Sequence, residues 1–203
     1  MIDRGEIKYN SREQLRGNWG IAIAATFLVS FLLGLQFNYR SNDVLNFGFI
    51  SFSINIVSLL FTGVLTTGLC RFLLNIVTKV KRPGFEDLFY YFKIYVKTLG
   101  LNLIITIAVG IGTMLFVIPG IIIALTFSQA FYILAKNPEK SIGEVLGQSA
   151  SMMNGYKMDL FMLELSFIGW WFVGIITLGI GLLWVALYVK VAEINFHLQI
   201  ANR

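Results

Sequence analysis

Apolar positions along this chain fall in long, nearly unbroken runs parted by short polar stretches, with none of the two-residue alternation that a half-buried strand would show. A helix needs about 20 such residues to cross a hydrocarbon core about 30 Å thick. Residues 19–36, WGIAIAATFLVSFLLGLQ, meet that length and open on an interfacial tryptophan, Trp19. The polar stretch from Phe37 to Asn46 leaves the apolar phase, and residues 49–77 return through it with length to spare, so this second span must tilt or project. From Leu99 to Ala135 no charge occurs, a run of about 55 Å if helical and too long for one crossing. Pro119 and Gly120 are its natural corner, giving spans 99–118 and 120–135, because proline removes a backbone donor and glycine permits a tight reversal. The run TLGIG, with Gly179 and Gly181, divides the last apolar stretch in the same way into spans 158–178 and 180–197. The pattern predicts one all-α domain over residues 1–203, a polytopic membrane protein with six transmembrane helices arranged as three hairpins.

A short amphipathic, interfacial helix is expected ahead of each hairpin, which makes a weak threefold repeat. Ser11 and Gln14 fit a capping box before Leu15 and Trp19, and Ser141 and Glu144 fit another before Ile142, Val145 and Leu146. In the middle unit, after Pro83, Phe85, Leu88, Phe89 and Phe92 recur at helical spacing opposite Glu86, Asp87, Tyr90 and Lys93. Such helices are either plain anchors or a collar that gates a path or recruits an acidic partner.

Composition agrees with a membrane as the solvent: 57% of residues are hydrophobic and 13% charged, against about a quarter charged in soluble domains. The basic residues are one-sided. Arg4, Lys8, Arg12 and Arg16 precede the first span; Lys79, Lys81, Arg82, Lys93 and Lys97 join the second to the third; Lys136, Lys140 and Lys157 join the fourth to the fifth. Only Arg40 falls opposite, so the positive-inside tendency puts both termini in the cytoplasm. The first apolar run has no small-residue cleavage site and is read as a retained helix. The formal charge of +5 is explained by orientation and by anionic headgroups, with no nucleic-acid partner expected. Cys70 is the single cysteine and His197 the single histidine, which leaves no material for a disulfide, a multi-histidine metal site or a histidine triad. No phosphate-cradling loop or nucleotide fingerprint occurs, so neither cofactor nor enzymatic activity is expected.

Ionisable residues at membrane depth are the candidates for function. Glu164 precedes the reversal near Gly179 by about 15 residues, and Lys190 and Glu193 follow it by about 11 and 14, so the three reach similar depth on neighbouring helices. A Glu164 to Lys190 pair is reasonable, and Arg71, near the cytoplasmic end of span two, is within reach of Glu193 or Glu164. The sharper reading is a charged relay or gate in a transport path; the plainer one is a structural ion pair or snorkelling side chains. Asn55, Asn102 and Gln129 lie deeper, where they either line a polar cavity or bond between helices. His197 reads as a surface or packing residue.

The segments REQLRGNWG, RFLLNIVTKVKRPGFEDLFYYFK, IPGIIIALTFSQAFYILAKNP and LSFIGWWFVGIITLGIGLLWVALY together resemble an uncharacterised family of bacterial integral membrane proteins, domain-of-unknown-function family nine-seven-five. The resemblance covers most of the chain. It implies a multi-pass protein of the bacterial cell membrane, with wider similarity to membrane domains found beside some glycerophosphodiester phosphodiesterases, and brings no activity with it. Glu164 departs from the neutral residue that the family implies there. Two functions stand: a small transporter or efflux-type protein, or a non-transporting scaffold, accessory or envelope-protection protein. Expected partners are membrane lipids, a small-molecule, peptide or lipid ligand, and further copies in a homo-oligomer.

Overall fold

A computed structural model describes residues 3–34, 47–177 and 180–201, with side chains from 59 onward in the second stretch, those of 175 and 180 excepted. Every regular element among them is helical: α1 Arg4–Leu15, α2 Trp19–Gly34, α3 Phe47–Thr78, α4 Glu86–Phe89, a 3₁₀ turn Tyr90–Ile94, α5 Tyr95–Leu115, α6 Val117–Phe127, α7 Ala130–Lys136, α8 Ile142–Met152, α9 Lys157–Leu165, α10 Ile168–Ile176 and α11 Ile180–Ala201. Four stretches are long and apolar enough to cross a membrane, namely Leu59–Thr78, Glu86–Leu115, Val117–Lys136 and Gly181–Ala201. The pair α1 and α2, bent by 99°, makes a fifth if taken as one span. The expected fifth crossing, 158–178, is two nine-residue helices parted at Ser166 and Phe167, so the described helices do not by themselves supply six spans.

The α5/α6 corner lies at Phe116, three residues before the expected break. Phe116 is extended (φ −160°, ψ 149°), whereas Pro119 sits in the first turn of α6, where a missing N–H leaves no helical bond unmade. Spans three and four thus end at 115 and begin at 117, in place of 118 and 120. Gly120 serves close packing: a Cβ there would overlap Thr113, and one on Gly112 would press on Gly120. The α10/α11 hairpin repeats this device, with Gly174 and Gly181 backbone to backbone and Thr177 Oγ1 accepting from Gly181 N at 2.9 Å. Gly179 lies outside the described residues.

Two of the three interfacial helices depart from expectation. Asp3, and not Ser11, caps α1; Ser11 is buried inside the helix and its hydroxyl donates to the Ile7 carbonyl. Gly17 (φ 86°) then turns the chain sharply into α2. After Pro83 the expected apolar face is rotated: Asp87, Leu88 and Tyr91 point inward, while Phe85, Phe89 and Phe92 are exposed. Only α8 starts as read, with a complete Ser141 and Glu144 capping box.

The core is concentrated at the end of the molecule carrying the basic loops. Around α3 it gathers Val64, Phe72, Leu73 and Ile76 with Ala22 and Ala25 of α2, Leu88, Tyr91 and Leu187. A second cluster joins Ile7, Leu160, Leu163, Phe167 and Phe196. Backbones approach closely here, since a Cβ on Gly68 would overlap the Leu88 carbonyl and one on Gly63 that of Thr98. Toward the hairpin tips packing between hairpins gives way to exposure: Met114 is 91% exposed, Phe116 75% and Ile176 80%. The result is a packed base bearing apolar arms whose sides are covered only by whatever surrounds them.

Candidate functional site

Residues 190, 193 and 197 of α11 lie at i, i+3 and i+7 and form one polar stripe along the helix. The stripe faces α7. Lys190 Nζ and Glu193 Oε2 are 2.8 Å apart, and the Tyr132 hydroxyl donates to the same carboxylate oxygen at 2.7 Å. One turn on, the Tyr132 ring lies against His197, centroids 5.8 Å apart, and His197 Nδ1 is 3.1 Å from Gln129 Oε1. Gln129 and His197 are buried, and burying polar groups is tolerable because each has found a partner. Lys190 closes the stripe toward the arms with 43% of its side chain exposed, while Glu193 beneath it is only 14% exposed.

Gln129 stands at an interruption in the apolar stretch Val117–Lys136. Helix α6 ends at Phe127 and α7 begins at Ala130, and serine hydroxyls take over the released carbonyls. Ser128 Oγ donates to Leu125 O at 2.8 Å, and Ser149 Oγ, from the interfacial α8, donates to Thr126 O at 2.8 Å. The interruption leaves Val117–Lys136 one apolar stretch long enough to cross a membrane, with its carbonyls at Leu125 and Thr126 already bonded.

Glu164, in the last turn of α9, is exposed and lies within electrostatic reach of Glu193 and Lys190, yet it forms no ion pair among the described residues. Lys190 takes its partner from its own helix. Arg71 belongs elsewhere: its Nε is 3.1 Å from Asp87 Oδ1, Asn75 Nδ2 donates to Asp87 Oδ2 at 2.9 Å, and its guanidinium covers the Tyr90 ring at 3.9 Å. This second cluster locks α4 to α3, separate from the stripe. Asn102 donates to Leu59 O at 3.0 Å, a bond between α5 and α3, and Asn55's side chain lies outside the described residues. The stripe therefore joins three expected residues, Lys190, Glu193 and Gln129, with Glu164 in electrostatic reach but not bonded to them; it includes His197, read as a surface or packing residue and found packed, and Tyr132, which the sequence did not single out. A second residue missed was Asp87, read on the polar face of α4 and found buried. Its signal was the pair Arg71 and Asn75, one turn apart on α3, which together present two donors to one carboxylate. Among the described residues no group of three His, Cys, Asp or Glu side chains is placed to hold a metal ion.

A third polar contact set fixes α1 along α11. Asn195 Nδ2 donates to Gln14 Oε1 at 2.6 Å and to Ser11 Oγ at 2.9 Å, and the Tyr188 hydroxyl donates to Lys8 O at 3.0 Å. Lys8 Nζ reaches Ser166 O at 3.1 Å, at the α9/α10 break, and burial, followed by Arg4 nearby, holds its pKa below the usual lysine value.

A family model described as "Protein of unknown function (DUF975)" matches residues 1–123 and 111–203. The chain belongs to this family. The two matches together cover it from end to end, and they bear on DUF975 alone, not on the wider likeness to phosphodiesterase-associated membrane domains. No curated protein and no solved structure matches the chain. For DUF975 the geometry above must therefore carry the functional argument.

Proposed function

We propose that this DUF975 protein is a small, non-enzymatic transporter of the efflux type, moving amphipathic molecules with a cationic head. The observation that carries the reading is the convergence of Glu164, Lys190, Glu193 and Gln129 beside the broken α6/α7 span, beneath exposed apolar arms. Lys190 and Glu193 neutralise one another, so Glu164 is the carboxylate left to meet a cation. Helix α6, which packs against α9, leaves apolar surface exposed at Ile118, Ile121 and Ile122 for the tail of such a ligand. In the bacterial cell membrane this protein has six crossings, with α9 and α10 sharing one, both termini and all three basic loops in the cytoplasm, and α1 and α8 at the inner surface. Labelling of single cysteines placed at Ile118 (outer) and at Lys81 and Lys140 (inner) tests that orientation, and inner-side labelling of Ile118 would overturn it.

Flux of a lipophilic cation from proteoliposomes tests transport. The unaltered chain exceeds protein-free vesicles, while Glu164→Gln with Lys190→Met reduces flux at least about tenfold, the loss expected when the carboxylate that meets the cation is removed. Flux indifferent to both substitutions would refute the reading. One observation favours a scaffold instead: Glu193 already has two partners, Lys190 and Tyr132. Recovery of one stoichiometric protein partner with no flux would select that alternative.

A further inference from the structure

At the basic end, where the charge-free run of α5 begins, a cleft of about 640 Å³ opens between the start of α5 and the start of α8. Its walls are Phe92, Ile94, Tyr95, Val96 and Ile142, with Lys93 and Lys97 at the rim. We propose that this cleft is a binding site for one anionic phospholipid, the phosphate held by Lys93 and Lys97 and an acyl chain laid along Phe92 and Val96.

Three observations carry it. First, neither ammonium is neutralised. Lys97 Nζ donates to the carbonyls of Pro138 (2.7 Å) and Glu139 (3.4 Å), neither of them a carboxylate, and Lys93 Nζ lies 5.5 Å from the Tyr90 ring centroid with no ion pair among the described residues. Glu144, the carboxylate beside the cleft, is turned onto Ser141 N at 2.7 Å and Ser141 Oγ at 2.9 Å and is thereby occupied. Secondly, Lys97 is pre-positioned: two carbonyls hold it and leave its third proton free, so little side-chain freedom is lost on binding a phosphate. Thirdly, the apolar residues are open, with Val96 80% and Phe92 42% exposed, directly beside the lysines. Charge next to exposed apolar surface, at the level where an uncharged helix begins, matches a lipid headgroup with its chain and not a free anion.

The test is native mass spectrometry of the full chain released from nanodiscs of phosphatidylcholine with a minor share of phosphatidylglycerol. One phosphatidylglycerol is retained by the unaltered protein; Lys93→Gln and Lys97→Gln each reduce retention about fivefold, and the double variant about twenty-five-fold. Lys93→Gln removes no hydrogen bond and keeps the test usable if Lys97→Gln fails to fold. Lys79→Gln, at the start of the same basic segment but outside the cleft, leaves retention unchanged. Equal loss from Lys79→Gln, equal retention of phosphatidylcholine, or displacement by millimolar inorganic phosphate would each overturn the proposal, the last by identifying a free-phosphate site.

Discussion

Replacing Asp87 by asparagine is the substitution whose cost follows most directly from the structure. The carboxylate is 2% exposed and receives Arg71 Nε at 3.1 Å and Asn75 Nδ2 at 2.9 Å. Hydrogen bonds to a charged group contribute about 1.5 to 3 kcal/mol each. Asparagine keeps the shape and one acceptor oxygen but turns an amide donor toward one of two donors, so at least one bond is lost and the Arg71 charge goes unanswered. Arg71 keeps 26% of its side chain exposed and rehydrates in part, which brings the net cost to about 2 to 3 kcal/mol. Lys81, 3.9 Å from the same carboxylate and 62% exposed, adds about 0.5 kcal/mol or less. Reversible unfolding of the full chain in mixed micelles, run as a cycle over Asp87→Asn and Arg71→Met with Lys81→Gln alongside, measures these contributions. A coupling between Arg71 and Asp87 under about 0.5 kcal/mol, or a Lys81→Gln cost equal to that of Asp87→Asn, would refute the assignment of this cluster as the lock between α3 and α4.

Gly68→Ala drives a methyl group into the Leu88 carbonyl and is expected to cost about 2 kcal/mol or more in the same assay, whereas Gly143→Ala in α8, with open space around it, is neutral or stabilising by up to about 1 kcal/mol. Ser149→Ala frees the Thr126 carbonyl and is expected to cost about 1 kcal/mol and to raise amide exchange at Ser128 and Gln129, read by hydrogen-exchange mass spectrometry. Glu144 has its pKa held below the ordinary 4.5 by its bonds to Ser141, backbone first and hydroxyl second. A carboxyl depressed in the folded state stabilises it above the unfolded pKa, and that contribution is lost as pH falls through the lower, folded value. Exchange at the first turn of α8 is therefore expected to rise on acidification below about pH 4.5, and Glu144→Gln to abolish the pH dependence.

The parts of this fold that were legible in the sequence are those governed by neighbours along the chain. The capping box of α8 needs only Ser141 and Glu144, three residues apart, and it formed as read. The apolar runs of α3, α5 and α6 with α7 were visible as length and hydropathy alone. The corner at Phe116 was not, because an extended phenylalanine carries no local mark, while Pro119 looks like a breaker anywhere but in a first turn. The face of α4 was misjudged for a tertiary reason: Asp87 is stable inside only because Arg71 and Asn75 meet it there, and the exposed Phe85 and Phe89 are no liability in an apolar surrounding. In the polar stripe the residues were recognisable but their pairing was not. Helix depth alone pairs Lys190 with Glu164 across helices, whereas the carboxylate that reaches it is three residues along its own helix. For His197, a surface or packing residue by sequence, the packing partners Gln129 and Tyr132 come from a distant segment and carry no local mark.

The claim that a cationic amphipath binds beside Glu164 and Lys190 is tested most directly by photo-cross-linking. The full chain in proteoliposomes is labelled with a photoactivatable lipophilic quaternary ammonium whose reactive group lies beside the charge, and labelled peptides are located by mass spectrometry. The account predicts label within residues 161–168 and 182–193, competed by unlabelled cation and lost in Glu164→Gln. Label confined to the hairpin tips around Met114 to Ile118, or an unchanged pattern in Glu164→Gln, would contradict it.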